Sequence, residues 1–201
     1  MNSEPTRFFG KYRGKVTNNV DPMKLGRVQV SCPDVLGEGK LSWAMPCVPY
    51  AGNKVGLYTV PPKGANVWVE FEGGDLNYPI VGGCFWGKGQ LPANPPVAEI
   101  KVFKTEAFEL VIKDLKGAGG LTLKMGKPAV AIPITLKADN KGVTLTMQNA
   151  KMTLSPKAIE LRLPPAALKL YAAKSELKHG AGSVAVQGLK VSLNKGALEV
   201  T

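Results

Sequence analysis

The chain has 201 residues, 26 basic and 15 acidic, for a formal net charge of +11 at pH 7, with 44 % hydrophobic and 20 % charged residues. That balance is ordinary for globular proteins and excludes wholesale disorder, and the length suits two small domains. No run approaches the roughly 18 unbroken apolar residues of a membrane-spanning helix, and residues 1–10 lack the apolar core of a secretory signal, so a protein made and folded in the cytoplasm is expected.

Two further counts narrow the chemistry. Cys32, Cys47 and Cys84 are an odd, widely spaced set without a C-x-x-C pair, which predicts buried thiols in place of a disulfide framework or zinc ribbon. His179 is the single histidine, so one chain cannot assemble a multi-histidine metal site. No cofactor is expected.

Composition changes near residue 100. Residues 1–100 hold eleven of the fourteen aromatics and eleven of the sixteen prolines, whereas residues 101–201 carry +9 of the net charge. Between the halves, Pro92-Ala93-Asn94-Pro95-Pro96 cannot sit inside a sheet or helix, because proline removes backbone donors and fixes φ. The predicted organisation is a first domain over 1–91, a linker over 92–107 and a second domain over 108–201.

In the first half, short β-rich runs are punctuated by Gly, Pro and Asn, which predicts strands at 9–16, 27–32, 43–48, 67–71 and 80–86. The alternation in Arg27-Val28-Gln29-Val30-Ser31-Cys32 puts Val28, Val30 and Cys32 on one buried face. Glu72-Gly73-Gly74-Asp75 supplies residues tolerant of positive φ, so a hairpin is expected there. Five strands in this length suit a small closed barrel of the OB type. Asp21, Glu70 and Asp75 read as turn or strand-face residues, and Trp43, Trp68 and Trp86 as core or subunit contacts.

Four ordered segments carry a family resemblance. Gly14 to Val30 (G-K-V-T-N-N-V-D-P-M-K-L-G-R-V-Q-V) resembles the opening hairpin of the phage baseplate assembly protein V family. Ser42-Trp43-Ala44 with Pro49-Tyr50-Ala51-Gly52, then residues 57–71, then Glu72-Gly73-Gly74-Asp75 with Pro79-Ile80-Val81-Gly82-Gly83, are similar to its later motifs. That family supplies the central spike of contractile phage tails, of tail-like injection particles and of the valine-glycine-repeat spikes of type VI secretion. The resemblance implies an all-β protein, with an N-terminal OB-fold barrel followed by an intertwined triple-stranded β-helix, or β-prism, formed by a homotrimer.

The second half supports a repeating array on its own residues. From Val143 onward, apolar pairs or triplets start at Val143, Met152, Ile159, Leu168, Leu177, Val184, Val191 and Leu198, at spacings of 7 or 9 residues. Such a period fits one short strand plus a turn. A strand with a single apolar stripe cannot bury it alone, so three chains around a common axis are predicted, with backbone donors satisfied from chain to chain. The residues expected to face that axis are Val143, Leu145, Met152, Leu154, Ile159, Leu161, Leu168, Leu170, Val184, Val186, Val191 and Leu193. Fifteen lysines and the lone Arg162 alternate with these residues and belong outside, as a solvated face or as an attraction to anionic envelope lipids.

Together these features predict a non-enzymatic trimeric spike in a phage baseplate or injection particle, assembled in the bacterial cytoplasm, that pierces the target cell envelope. Its predicted partners are two sister copies, the baseplate hub and the tail tube, but not nucleic acid. The resemblance further implies a PAAR-like tip protein seated on Leu198, Val200 and Thr201. Two rival classes are a single-strand nucleic-acid binder of the OB type with a basic tail, and a cell-wall hydrolase of the spike family.

Overall fold

The computed structural model describes residues 6–200, except for the side chain of Glu199. Two compact units divide at Leu91 and Pro92. The first is built on β1 (Tyr12–Asn18), β2 (Val28–Ser31), β3 (Leu41–Pro46), the short hairpin β4 (Ala51–Gly52) and β5 (Val55–Gly56), β6 (Asn66–Phe71) and β7 (Pro79–Phe85). Among the described residues, helix is confined to one turn, α1 (Pro33–Leu36), and a 3-10 turn at Glu72–Gly74.

The barrel closes in the order β1-β2-β3-β7-β6, antiparallel throughout except where β3 meets β7 in parallel. Closure leaves none of its five strands with a free edge. Strict alternation along β2 and β6 turns Val28, Val30, Val67, Val69 and Phe71 inward, where Val16, Cys32, Ala44 and Val81 complete the core. Gly14 on β1 faces this core because a Cβ there would lie 2.6 Å from Val69 Cγ2 and 3.0 Å from the Ser31 carbonyl. The strand positions follow the sequence prediction to within a few residues. The hairpin at β4 and β5 was not predicted: four residues of ladder, two of them glycine, give too short a signal.

The cysteines correct the prediction in part. Cys32 is fully buried, and burial pushes its thiol pKa up, whereas Cys47 and Cys84 are exposed. Cys84 stands opposite Val67, one residue from the end of β7 and beyond the bulge at Trp68 and Val69, and Cys47 lies just past the end of β3, so both sit at strand ends that stay open to solvent.

The second unit contains β8 (Ile100–Lys104), β9 (Phe108–Lys113), β10 (Gly120–Met125), β11 (Ile134–Asp139), β12 (Gly142–Met147), β13 (Ala150–Leu154), β14 (Ala158–Leu163), β15 (Ala166–Tyr171), β16 (Ser175–His179), β17 (Gly182–Gln187), β18 (Lys190–Leu193) and β19 (Leu198–Val200). They form one twelve-stranded antiparallel sheet in sequence order. The first of these strands, Ile100–Lys104, falls within the stretch read from sequence as linker. Its alternation is masked by lysines at 101 and 104, which hides a strand beside a proline-rich segment.

Backbone pairing also differs from the sequence prediction. Every strand bonds to its neighbours in the same chain, so donors are satisfied within the chain. Short reversals such as Gln148-Asn149 and Gly180-Ala181 make this possible, because they are long enough only to fold the chain back on itself. At Gly142, φ is +125° and a Cβ would lie 2.0 Å from the Leu154 carbonyl, so only glycine fits. Twelve strands at about 4.8 Å spacing make a sheet about 55 Å long.

Candidate trimer interface

Directly opposed residues in a β-ladder share a face, so the register fixes which side chains line up. One row runs through all twelve strands: Phe103, Leu110, Leu123, Leu136, Leu145, Met152, Leu161, Leu168, Leu177, Val184, Leu193 and Leu198. Every member is apolar. A second row on the same face runs through Ile112, Leu121, Ala138, Val143, Leu154, Ile159, Leu170, Ser175, Val186, Val191 and Val200. The third, at the other edge, includes Phe108, Met125, Ile134, Met147, Ala150, Leu163, Ala166, His179 and Gly182.

All twelve residues predicted to face the axis therefore lie in the first two rows of one face. The central row also explains the irregular spacing. From Leu145 to Leu193 its members fall alternately 7 and 9 residues apart, as a short-turn meander requires when each hairpin is read across a fixed line. Phe103, Leu110, Leu123, Leu136 and Leu177 belong to the same row but were not picked as axis residues. Longer connections before residue 142 break the period there, and Leu177 is surrounded by polar neighbours in sequence.

This face has no cover within its own unit. Among the described residues, the nine buried hydrophobic core residues all lie in the barrel, and from 92 onward none is buried. Across the middle of the sheet, Leu145, Met147, Met152, Leu161, Leu163 and Leu168 line an open groove of about 510 Å³. Exposed apolar area on this scale marks an interaction surface.

The opposite face is polar and internally paired. Its central row begins with Val102 and Val111, then turns polar through Thr122, Lys137, Thr144, Thr153, Glu160, Lys169 and Glu176. Glu109 accepts from Lys124 at 3.0 Å and lies 3.3 Å from Lys104, and these ammonium groups hold its carboxyl below the usual range. Lys137, 2.7 Å from Asp139, does the same there, and Glu160 at 3.3 Å raises the Lys169 ammonium. Desolvation works against ionised Glu176, yet Lys178 and Lys174 hold its carboxyl low. Most lysines thus sit on the solvated face. Lys101 is an exception, standing opposite Ile112 on the apolar face and paired to Asp114.

Two domain families match the chain. The type VI secretion system/phage-baseplate injector OB domain matches residues 12–86, and the phage baseplate V C-terminal trimerisation domain matches residues 100–199. The chain belongs to the phage baseplate V family. Membership makes it a structural component of a phage baseplate or related injection particle and makes the apolar sheet a trimerisation domain. A comparison with curated protein sequences returns no match.

Several sequence-singled residues of this baseplate V protein take structural places. Asp21, whose side chain is 4 % exposed, accepts from the Arg27 guanidinium at 2.8 Å and from the backbone N–H groups of Met23, Leu25 and Arg27. Arg27 above all holds the Asp21 carboxyl well below the ordinary carboxylate range. The turn from β1 to β2 is thus tied by an ion pair that sequence reasoning had reduced to turn formation. Glu70 pairs with Lys11, and Asp75 accepts from the Asn77 N–H at 2.9 Å. Trp68 stacks at 4.7 Å on Phe85, with Arg13 over both rings, and Arg27 lies over Trp43, while Trp86 is exposed.

In β19, Leu198 pairs with Leu193 and Val200 with Val191, which continues the two apolar rows through the last strand. Thr201, the third member of the predicted tip seat, lies outside the described residues. Among the described residues no cluster of three His, Cys, Asp or Glu side chains could hold a metal, and no helix is long and apolar enough to cross a membrane.

Proposed function

We propose that the chain is the central spike of a contractile injection machine, acting as a homotrimer without enzymatic activity of its own. The observation that carries this is the apolar face: its rows have no cover within their own unit, and the matched domain is a trimerisation domain. Three copies facing inward place Val143, Leu145, Met152, Leu154, Ile159, Leu161, Leu168, Leu170, Val184, Val186, Val191 and Leu193 around the axis. The paired lysines and glutamates remain in water.

The mechanism is mechanical. Sheath contraction drives the particle forward, and a prism whose backbone groups are bonded within each chain, with side chains locked between chains, resists buckling under that load. Leu198 and Val200 present an apolar end on which a PAAR-like tip protein seats. The barrel engages hub and tube. Its β1–β2 connection and the segment around β4 and β5 lie at the barrel end from which β7 leads into the linker, and they expose Val20, Met23, Leu57, Tyr50 and Tyr58. Aromatic-rich exposed loops of this kind suit a protein partner.

Light scattering on the purified chain tests the oligomer: a particle of three times 21.3 kDa is expected, and a stable solitary chain overturns the proposal. Particles assembled with the chain lacking residues 100–201 should contract but fail to penetrate an envelope. Full penetration by them would refute the spike role.

A further inference from the structure

The apolar face carries two polar side chains between Phe108 and Val186, and both are on β16. Ser175 stands in one edge row, opposite Leu170 and Val186, and His179 in the other, opposite Ala166 and Gly182. Every other position of the three rows in that stretch is apolar or glycine. Neither the Ser175 hydroxyl nor the His179 imidazole makes a side-chain hydrogen bond within the described chain. Four residues along a strand separate them by about 13 Å, so they cannot meet each other in one chain.

Closed three-fold symmetry joins unlike edges: one edge row of each sheet meets the other edge row of the next. Rotation about the axis leaves height unchanged, so with strands close to perpendicular to the axis the two edges of β16 arrive at the same corner. We propose that Ser175 of one copy hydrogen-bonds His179 of the next, giving three identical pairs that form a polar layer in the apolar prism. This rests on the trimeric function proposed above. A neutral imidazole both donates and accepts, and a hydroxyl rotates to suit either nitrogen. The layer also sets register. Sliding one chain by a strand would place His179 against an apolar edge and leave both groups unpaired in a dry interface, a cost that an all-apolar face would not impose.

Paired cysteines test the contact. In the full chain with exposed Cys47 and Cys84 changed to serine, S175C/H179C is oxidised and run without reductant, after scattering has established the mass of the unoxidised particle. A single-chain mass sinks the trimer itself. Given a trimer, most chains should run as a covalently closed trimer, and S175C or H179C alone should give no linked species. Absence of linkage in the double variant overturns the pairing, as does a closed trimer from S175C/A166C or S175C/G182C, which would put the edges out of step. A thermal cycle reads the same contact without cysteines. S175A and H179L should each lower the trimer's melting temperature, and S175A/H179L should recover most of the loss; additive losses refute the pair.

Discussion

Leu161→Asp is the sharpest test of how the second unit is stabilised. Leu161 lies mid-row on the apolar face, opposite Met152 and Leu168, and is 41 % exposed in the single chain. Burying a whole leucine side chain stabilises by about 1.5–3 kcal/mol, so covering its exposed two-fifths is worth about 1 kcal/mol per copy and about 3 kcal/mol per trimer. Aspartate removes that gain and adds a larger cost. Three carboxylates would approach one axis in apolar surroundings, each with a desolvation penalty of several kcal/mol or forced to take up a proton. The sum is on the order of 10 kcal/mol per trimer, comparable to the whole free energy of a micromolar to nanomolar association. Leu161→Asp should therefore lose the three-chain particle in sedimentation or light scattering at micromolar concentration. Thr153→Lys, one strand away on the polar face and opposite Glu160, should keep it. A Leu161→Asp protein that stays trimeric with an unchanged melting temperature would refute the inward-facing arrangement.

Three other perturbations separate the parts of the molecule. Asp21 has a folded-state pKa below its unfolded value of about 3.9, so its contribution is complete above that pH and is lost as pH falls toward the folded value. The stability gap between wild type and Asp21→Asn, followed by denaturant titration, should be full at pH 7 and narrow steadily below about pH 4; a constant gap down to pH 2 contradicts the ion-pair account. Val30→Ala in the barrel core, at 0 % exposure, should cost about 2 kcal/mol in barrel unfolding without altering oligomer mass. Lys169→Ala on the solvated face should change stability by less than about 1 kcal/mol, because its partner Glu160 remains in contact with water; a larger loss would place that face inside an interface.

Alternation was the part of the fold written most plainly in the chain. In β2 and β6 each inward residue is a valine or phenylalanine and each outward one is bulky or polar, so both strand and core face could be read directly. The apolar rows from Val143 to Leu193 were legible for the same reason. Strand β8 was not, because Lys101 breaks the apolar phase and is held by Asp114 from outside its own strand. The Asp21–Arg27 pair was also hidden: its two members lie six residues apart across a turn, and only the folded backbone shows three N–H groups converging on one carboxylate. Most hidden was the source of backbone partners. A stripe that needs other chains for burial suggests that its hydrogen bonds come from them too, but the two demands are independent, and this sheet meets one within the chain and leaves the other to its copies.

That division has a thermodynamic consequence. Each strand of the sheet pairs with its sequence neighbour, so the meander can form by successive local hairpins at little loop-closure cost. Yet a sheet with no buried residue among those described lacks the apolar burial that offsets ordering its backbone, which runs at roughly 1–2 kcal/mol per residue. Burial arrives when the faces of three chains meet, so folding and association of the second unit are one step. Its melting temperature should rise with protein concentration, as mass action demands of any structure stabilised by its own copies. The barrel, closed on its own nine-residue core, should melt at a temperature independent of concentration. Calorimetry across a hundredfold range of concentration should therefore resolve one moving and one stationary transition. Two stationary transitions would mean that the sheet is stable alone, and the apolar rows would then lack the role assigned to them.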